Sequence, residues 1–204
     1  MSGGTNPGDL SYNGPFMSHH VCPPWLAFIL DNRLRRAIQN PDRILGRFLH
    51  PGDRAVDVGC GPGFFSVPMA RQVGETGSVV AVDIDEKMLA KVRRRADRAG
   101  VSGRVVILRA GPDRLGIGVD EFDFALAFWM AHEVRAPGLF FDDIRKALKA
   151  GGSFLLVEPK RHVAEAEFAG LVAAAEGAGF RKRGPVRIRL SRAVVFGPDQ
   201  DAHS

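Results

Sequence analysis

Arg54-Ala55-Val56-Asp57-Val58-Gly59-Cys60-Gly61-Pro62-Gly63 reads as a short buried strand that runs straight into a glycine-rich turn. Glycines at positions 59, 61 and 63 remove Cβ atoms where a backbone must turn sharply and let a ligand come close. An apolar helical face follows through Phe64, Phe65, Val67, Met69 and Ala70, and the start of such a helix offers N–H groups to a ligand. About twenty residues later, Ser78-Val79-Val80-Ala81-Val82-Asp83 is a second apolar run that ends in a carboxylate. An acid at the end of a second strand suits the two hydroxyls of a ribose. The stretch therefore predicts a site for an adenosine-type cofactor.

Two cofactor families use this geometry. Dinucleotide enzymes favour G-x-G-x-x-G, in which the third glycine stands three places after the second. That place is Phe64 here, and the third glycine is Gly63. The pattern is G-x-G-x-G preceded by Val-Asp-Val, and in this form it resembles the first motif of the class I S-adenosylmethionine-dependent methyltransferases. The resemblance runs from roughly Pro51 to Phe196. It implies an α/β fold: a three-layer Rossmann-like sheet of seven strands, order 3-2-1-4-5-7-6, with strand 7 antiparallel. It also implies that Asp57, Gly59, Gly61 and Gly63, with Cys60 inside the loop, line the methionine and ribose end of the cofactor. Asp83 then grips the ribose, Ile84 sits against the adenine, and the backbone of Ala110 or the carboxylate of Asp113 meets the adenine amine. Phe128 occupies the family's fourth-motif position. Enzymes that methylate exocyclic base amines carry an Asn/Asp-Pro-Pro-Tyr type sequence there, and this chain does not.

Composition bounds the rest. A chain of 204 residues with 45% apolar and 25% charged residues predicts one globular domain with a substantial core. No apolar run is long enough to span a bilayer, and the opening Met-Ser-Gly-Gly-Thr-Asn-Pro lacks the pattern of a secretory signal. With Cys22 and Cys60 as the two cysteines, the expected setting is a reducing cytoplasm. The net charge of +5 rests largely on arginines, among them Arg93, Arg94, Arg95, Arg181, Arg183, Arg187 and Arg189. They admit nucleic acid as a partner, although arginines on the polar face of a helix are ordinary solvated groups.

Residues 1–17 carry four glycines and two prolines and read as a flexible tail. Residues 18–50 read as a helical lid, with starts at Pro24 and at Asn40-Pro41-Asp42. Ile44, Leu45, Phe48 and Leu49 follow at helical spacing. Residues 51–197 form the core and 198–204 a second tail. Within the core, strands at Arg104–Leu108, Phe122–Phe128 and Ser153–Glu158 alternate with helices. The last two strands are read as Phe180–Arg189 and Arg192–Phe196. A link of two residues, Leu190 and Ser191, cannot carry a parallel crossover, so these strands pair antiparallel.

Ligands of open parallel sheets bind beyond the carboxyl ends of the strands. Phe128-Trp129-Met130-Ala131-His132-Glu133 follows the fourth strand, and Glu158-Pro159-Lys160-Arg161-His162 follows the fifth. His132 is the best-placed general base, with Glu158 or His162 behind it; the alternative is a loop histidine that makes a hydrogen bond only. His19, His20 and Cys22 add soft donors from the lid, so this edge admits a metal or a thiol substrate. The spacing is not that of a zinc site, and no metal ligand is assigned. The resemblance implies methyl transfer from S-adenosylmethionine, releasing S-adenosylhomocysteine, to a small-molecule acceptor lined by Trp25, Phe28, Phe128 and Trp129. An RNA or protein methyltransferase, and a catalytically silent cofactor-binding protein, are the alternatives.

Overall fold

The computed structural model describes residues 33–111 and 113–199. The readings made on the first tail, on Pro24, Trp25 and Phe28, on His19, His20 and Cys22, and on residues 200–204 lie outside the described residues.

The described strands are β1 (Arg54–Val58), β2 (Ser78–Asp83), β3 (Val105–Arg109), β4 (Phe122–Phe128), β5 (Leu148–Pro159), β6 (Phe180–Pro185) and β7 (Ser191–Pro198). They form one sheet in the order β3-β2-β1-β4-β5-β7-β6. β1 to β5 run parallel, and β7 lies antiparallel to both β5 and β6. The predicted α/β sheet is the observed one. The parallel strands read as nearly continuous apolar runs because helices cover both of their faces.

The period of two sorts the core. Val56 and Val58 of β1, Ala125 and Ala127 of β4, and Phe154 and Leu156 of β5 point to one face. That face is covered by α5 (Pro137–Ala147) and α6 (Glu165–Gly177), through Phe140, Phe141, Ile144, Leu171 and Ala175. Ala55, Phe124, Leu126, Leu155 and Val157 point to the other. There they meet Val67, Met69 and Ala70 of α3 (Ser66–Gln72) and Ala96 of α4 (Glu86–Arg98). Asp57 alternates with Ala55 and so faces α3. Glu158 alternates with Leu156 and so faces α5 and α6. One sheet thus sends its two buried acids to opposite layers.

Several boundaries differ from the sequence reading. Two short helices, α1 (Arg33–Ile38) and α2 (Pro41–Leu45), make up the described part of the lid. Asn40 caps α2 by accepting from the Arg43 N–H at 3.2 Å, as its position predicts. The helix stops at Leu45, whose carbonyl accepts from both Phe48 and Leu49, so these two residues turn back onto the core. α3 begins at Ser66, because the two residues after Gly63, Phe64 and Phe65, still belong to the turn. β5 starts at Leu148, five residues before the expected Ser153. β6 ends at Pro185, not Arg189. Residues 186–190 form the link, and Leu190 takes a φ of +61°. Pro185 has no N–H to give a ladder, and Ile188 is buried against the lid-side core and no longer pairs with a strand. β7 continues to Pro198, one residue beyond the predicted core. No helix among the described residues is long and apolar enough to cross a membrane.

Candidate active site

β1 delivers the chain into the glycine loop at the carboxyl edge of the sheet. Gly59 and Gly61 have φ values of +65° and +51°, which a side chain makes costly. The Cys60 N–H donates to the Val82 carbonyl at 3.0 Å, which ties the loop to β2. The Gly61 N–H donates to Asp83 Oδ2 at 2.8 Å, and the Asp85 N–H to Asp83 Oδ1 at 2.9 Å. Asp83 therefore braces the loop as well as facing the site. A Cβ on Gly61 would meet nothing within 4 Å, whereas one on Gly59 would stand 2.6 Å from Met130 Cγ. The loop is thus open above Gly61, while at Gly59 the position of a side chain is taken by Met130.

Asp57 lies beneath the loop, 2% exposed, and accepts from Ser66 Oγ at 2.5 Å. Burial pushes its carboxyl up to about 7. The Ser66 hydrogen bond opposes this, as does the more distant Arg35 charge, while neighbouring Asp83 adds to it. Asp83 is also raised, chiefly by burial, against the two backbone N–H groups it accepts. Between the ordinary carboxylate value and about pH 7, the folded state holds a proton on Asp57 that the unfolded chain has released. Stability should therefore fall as pH rises through this window, by up to ~1.4 kcal/mol per pH unit from this group. Urea unfolding of the wild type and Asp57→Asn from pH 4 to 8 checks this. The stability difference between the two should shift in favour of the variant up to about pH 7 and then level off.

A shallow cleft open to solvent is lined by Gly59, Asp83, Ile84 and Ala110, four of the residues predicted to meet the cofactor. Leu115 and Met130 complete its apolar wall. A ribose-binding acid, an apolar slot and an open glycine turn are the features an adenosine needs, so these residues fit that group. Two predicted residues stand elsewhere. The Cys60 side chain packs inward with Ala81, Leu89 and Val92 beneath α4, and its thiol is held well above its ordinary value, mainly by burial. Phe128 is buried on the opposite face, its ring 4.2 Å from that of Phe65.

On the same edge, His132 and Glu158 meet. His132 lies in a 3-10 turn after β4 (Ala131–Glu133), and Glu158 near the end of β5. His132 Nδ1 is 2.6 Å from Glu158 Oε2, and the Ala131 N–H donates to Glu158 Oε1 at 2.8 Å. Glu158 is fully buried and holds the ring through Nδ1, so that when the imidazole is neutral Nδ1–H donates to the carboxylate and Nε2 is left as the basic nitrogen. Burial pulls the His132 pKa down. The hydrogen bond and charge of Glu158, with Glu133 and Glu167, outweigh it, and the net shift is upward. His162 is exposed on the turn after β5, where its N–H donates to the Pro159 carbonyl, and it does not bond to this pair. Among the described residues, no group of three His, Cys, Asp or Glu side chains is placed to hold a metal.

A family model described as "Methyltransferase domain" matches residues 56–156. A SAM dependent methyltransferase from Aquifex aeolicus has the same fold. Its TM-score is 0.76 at 23% identity, over 85% of this chain and 97% of that one. Just under half of the chain is thus similar to the methyltransferase domain family, and the fold is that of an S-adenosylmethionine-dependent methyltransferase. A demethylmenaquinone methyltransferase of Symbiobacterium thermophilum is 31% identical over 111 residues, 54% of this chain and 44% of that protein. The ubiquinone/menaquinone biosynthesis C-methyltransferase UbiE of Haemophilus ducreyi is 31% identical over 107 residues, covering 52% and 41%. The chain thus spans less than half the length of these relatives.

Two residues take parts in the structure that their sequence positions did not show. Trp129, directly after β4, has a φ of +62°, which is rare for a bulky residue and costs of order 1–3 kcal/mol. Its indole N–H donates to Ser191 Oγ at 3.0 Å, which holds it there. Arg35 of α1 lays its guanidinium 4.1 Å from the centre of the Phe64 ring and 4.7 Å from that of Trp129. Trp129 stood in the sequence as a pocket aromatic, without a sign of its strain. Arg35 stood as one arginine among several, since the lid sequence does not say which one folds over the site.

Proposed function

We propose that this protein transfers the methyl group of S-adenosylmethionine to a nucleophilic atom of a small-molecule acceptor. The observation that supports this most is the open turn at Gly61, braced by Asp83, on the edge that carries the His132–Glu158 pair. Gly59, Gly61, Asp83, Ile84 and Ala110 would hold the cofactor, with Asp57 and Gly63 shaping the loop from below. Arg35 offers a cation for the carboxylate of its methionine end. When bound, the cofactor supplies an activated methyl group, so the protein's work is alignment and exclusion of water. His132 Nε2 takes the acceptor's proton. Glu158 is a positioning residue that holds Nδ1–H and favours the imidazolium that forms. His162 has no assigned part in this scheme. A buried unpaired Cys60 is compatible with a cytoplasmic setting, where we place the reaction.

Calorimetric titration with S-adenosylhomocysteine tests the cofactor reading. Wild type should bind at micromolar or tighter concentration, and Asp83→Ala should weaken binding at least tenfold, because the ribose acid and the loop brace are lost together. Absence of binding to folded wild type would sink the proposal. Binding without product formation from any acceptor would instead identify a silent cofactor-binding protein.

A further inference from the structure

A second cleft lies apart from the one proposed for the cofactor. It is an open groove of about 580 Å³ between the lid helices and the β6–β7 link. Its floor is apolar, with Ile38, Ile44 and Ile188. Its walls carry four arginines: Arg43 and Arg47 from α2 and the turn after it, and Arg187 and Arg189 from the link. All four are exposed, and none forms an ion pair with a described residue. Asp42 is the nearest acid in sequence, and the Asn40 side chain is already engaged in capping α2. Four like charges around one depression repel one another, and among the described residues no carboxylate forms an ion pair with any of them. Guanidinium groups bind phosphate oxygens in pairs, so such a wall suits a phosphate-bearing ligand.

The groove is joined to the active-site edge. Gln39, 1% exposed, donates to the Arg189 carbonyl and to Ser191 Oγ, both at 3.4 Å. Ser191 in turn accepts from the strained Trp129 at 3.0 Å. The antiparallel course of β7 puts this link at the carboxyl end of the parallel strands, since Ser191 pairs with Pro159 and Arg192 with Glu158. Every groove residue also lies outside the segment 56–156 that the family model matches.

We propose that this groove holds the phosphate groups of the acceptor, so that the substrate is a phosphorylated small molecule. The proposal rests on the methyltransferase reading. Its test uses the full chain, with inorganic pyrophosphate and tripolyphosphate as probes in calorimetry. Wild type should show one saturable site. Arg187→Gln with Arg189→Gln, and separately Arg43→Gln with Arg47→Gln, should each weaken it at least tenfold, with S-adenosylhomocysteine affinity unchanged. That unchanged affinity separates failure of the groove from failure of the cofactor site. Equal probe binding in wild type and the fourfold variant overturns the proposal, as does a wild type that shows no saturable binding. A single-stranded RNA oligonucleotide provides the other arm. RNA affinity that falls with log salt more steeply than about −3, the slope for four phosphates, and that resists pyrophosphate competition, overturns the small-acceptor assignment in favour of nucleic acid.

Discussion

His132→Ala is expected to lower turnover by roughly 10²–10⁴-fold, the usual contribution of a positioned general base. S-adenosylhomocysteine affinity should be unchanged, because His132 does not line the cofactor cleft. The rate is read as S-adenosylhomocysteine formed with the best acceptor from a screen. Unchanged turnover across pH would remove His132 from the chemistry. Glu158→Gln separates positioning from proton transfer. Glutamine keeps an acceptor for the Ala131 N–H but loses the charge that raises the His132 pKa. The imidazole midpoint, followed by NMR, should lie above 6.5 in wild type and fall in the variant, where burial acts without the opposing charge. The pH–rate profile should move with it. The same pair bears on stability: its contribution is complete below about pH 6.5 and is lost as pH rises through the folded-state midpoint. A midpoint that does not move in Glu158→Gln would show that the 2.6 Å contact does not control the base.

Gly61→Ala and Gly59→Ala should part company in a second experiment. Both residues have positive φ, so each alanine costs about 1–2 kcal/mol in backbone strain. At Gly61 the new methyl points into open space, which is the space the cofactor needs. Its S-adenosylhomocysteine affinity should drop by roughly tenfold or more, about 1.4 kcal/mol or more. At Gly59 the methyl would stand 2.6 Å from Met130 Cγ, so a buried side chain must shift. Gly59→Ala should therefore show the lower melting temperature of the two without ligand. Thermal melts and calorimetry on both variants check this. A Gly61→Ala protein that binds as wild type would mean that the ligand does not pass over the loop.

Some of this was legible from the chain alone because it is local. Val56-Asp57-Val58 followed by alternating glycines specifies a strand, a turn and close backbone approach within ten residues. Asp83 lies at the end of the next apolar run for the same reason. The short link before β7 required an antiparallel pair, whereas the order of the strands was an expectation from the resemblance, which the observed sheet matches. The end of β6 was less legible. Residues 186–190 keep an alternation that resembles a strand, yet the pairing with β7 ends after Val186, whose N–H donates to the Ala193 carbonyl, and Ile188 finds its burial against the lid.

The amino-acid sequence by itself determined the α/β alternation, the glycine loop and the two acids beside it, since these depend on residue type and period along one stretch. Only the tertiary structure decided which side chains work together. His132 and Glu158 are 26 residues apart, and Trp129 and Ser191 are 62 apart. Cys60 belongs to the loop in sequence but turns its thiol into the core. Arg43, Arg47, Arg187 and Arg189 become one surface when the lid helices pack against the β6–β7 link. Contacts between distant segments depend on how whole layers pack, and no local pattern of residues encodes that arrangement.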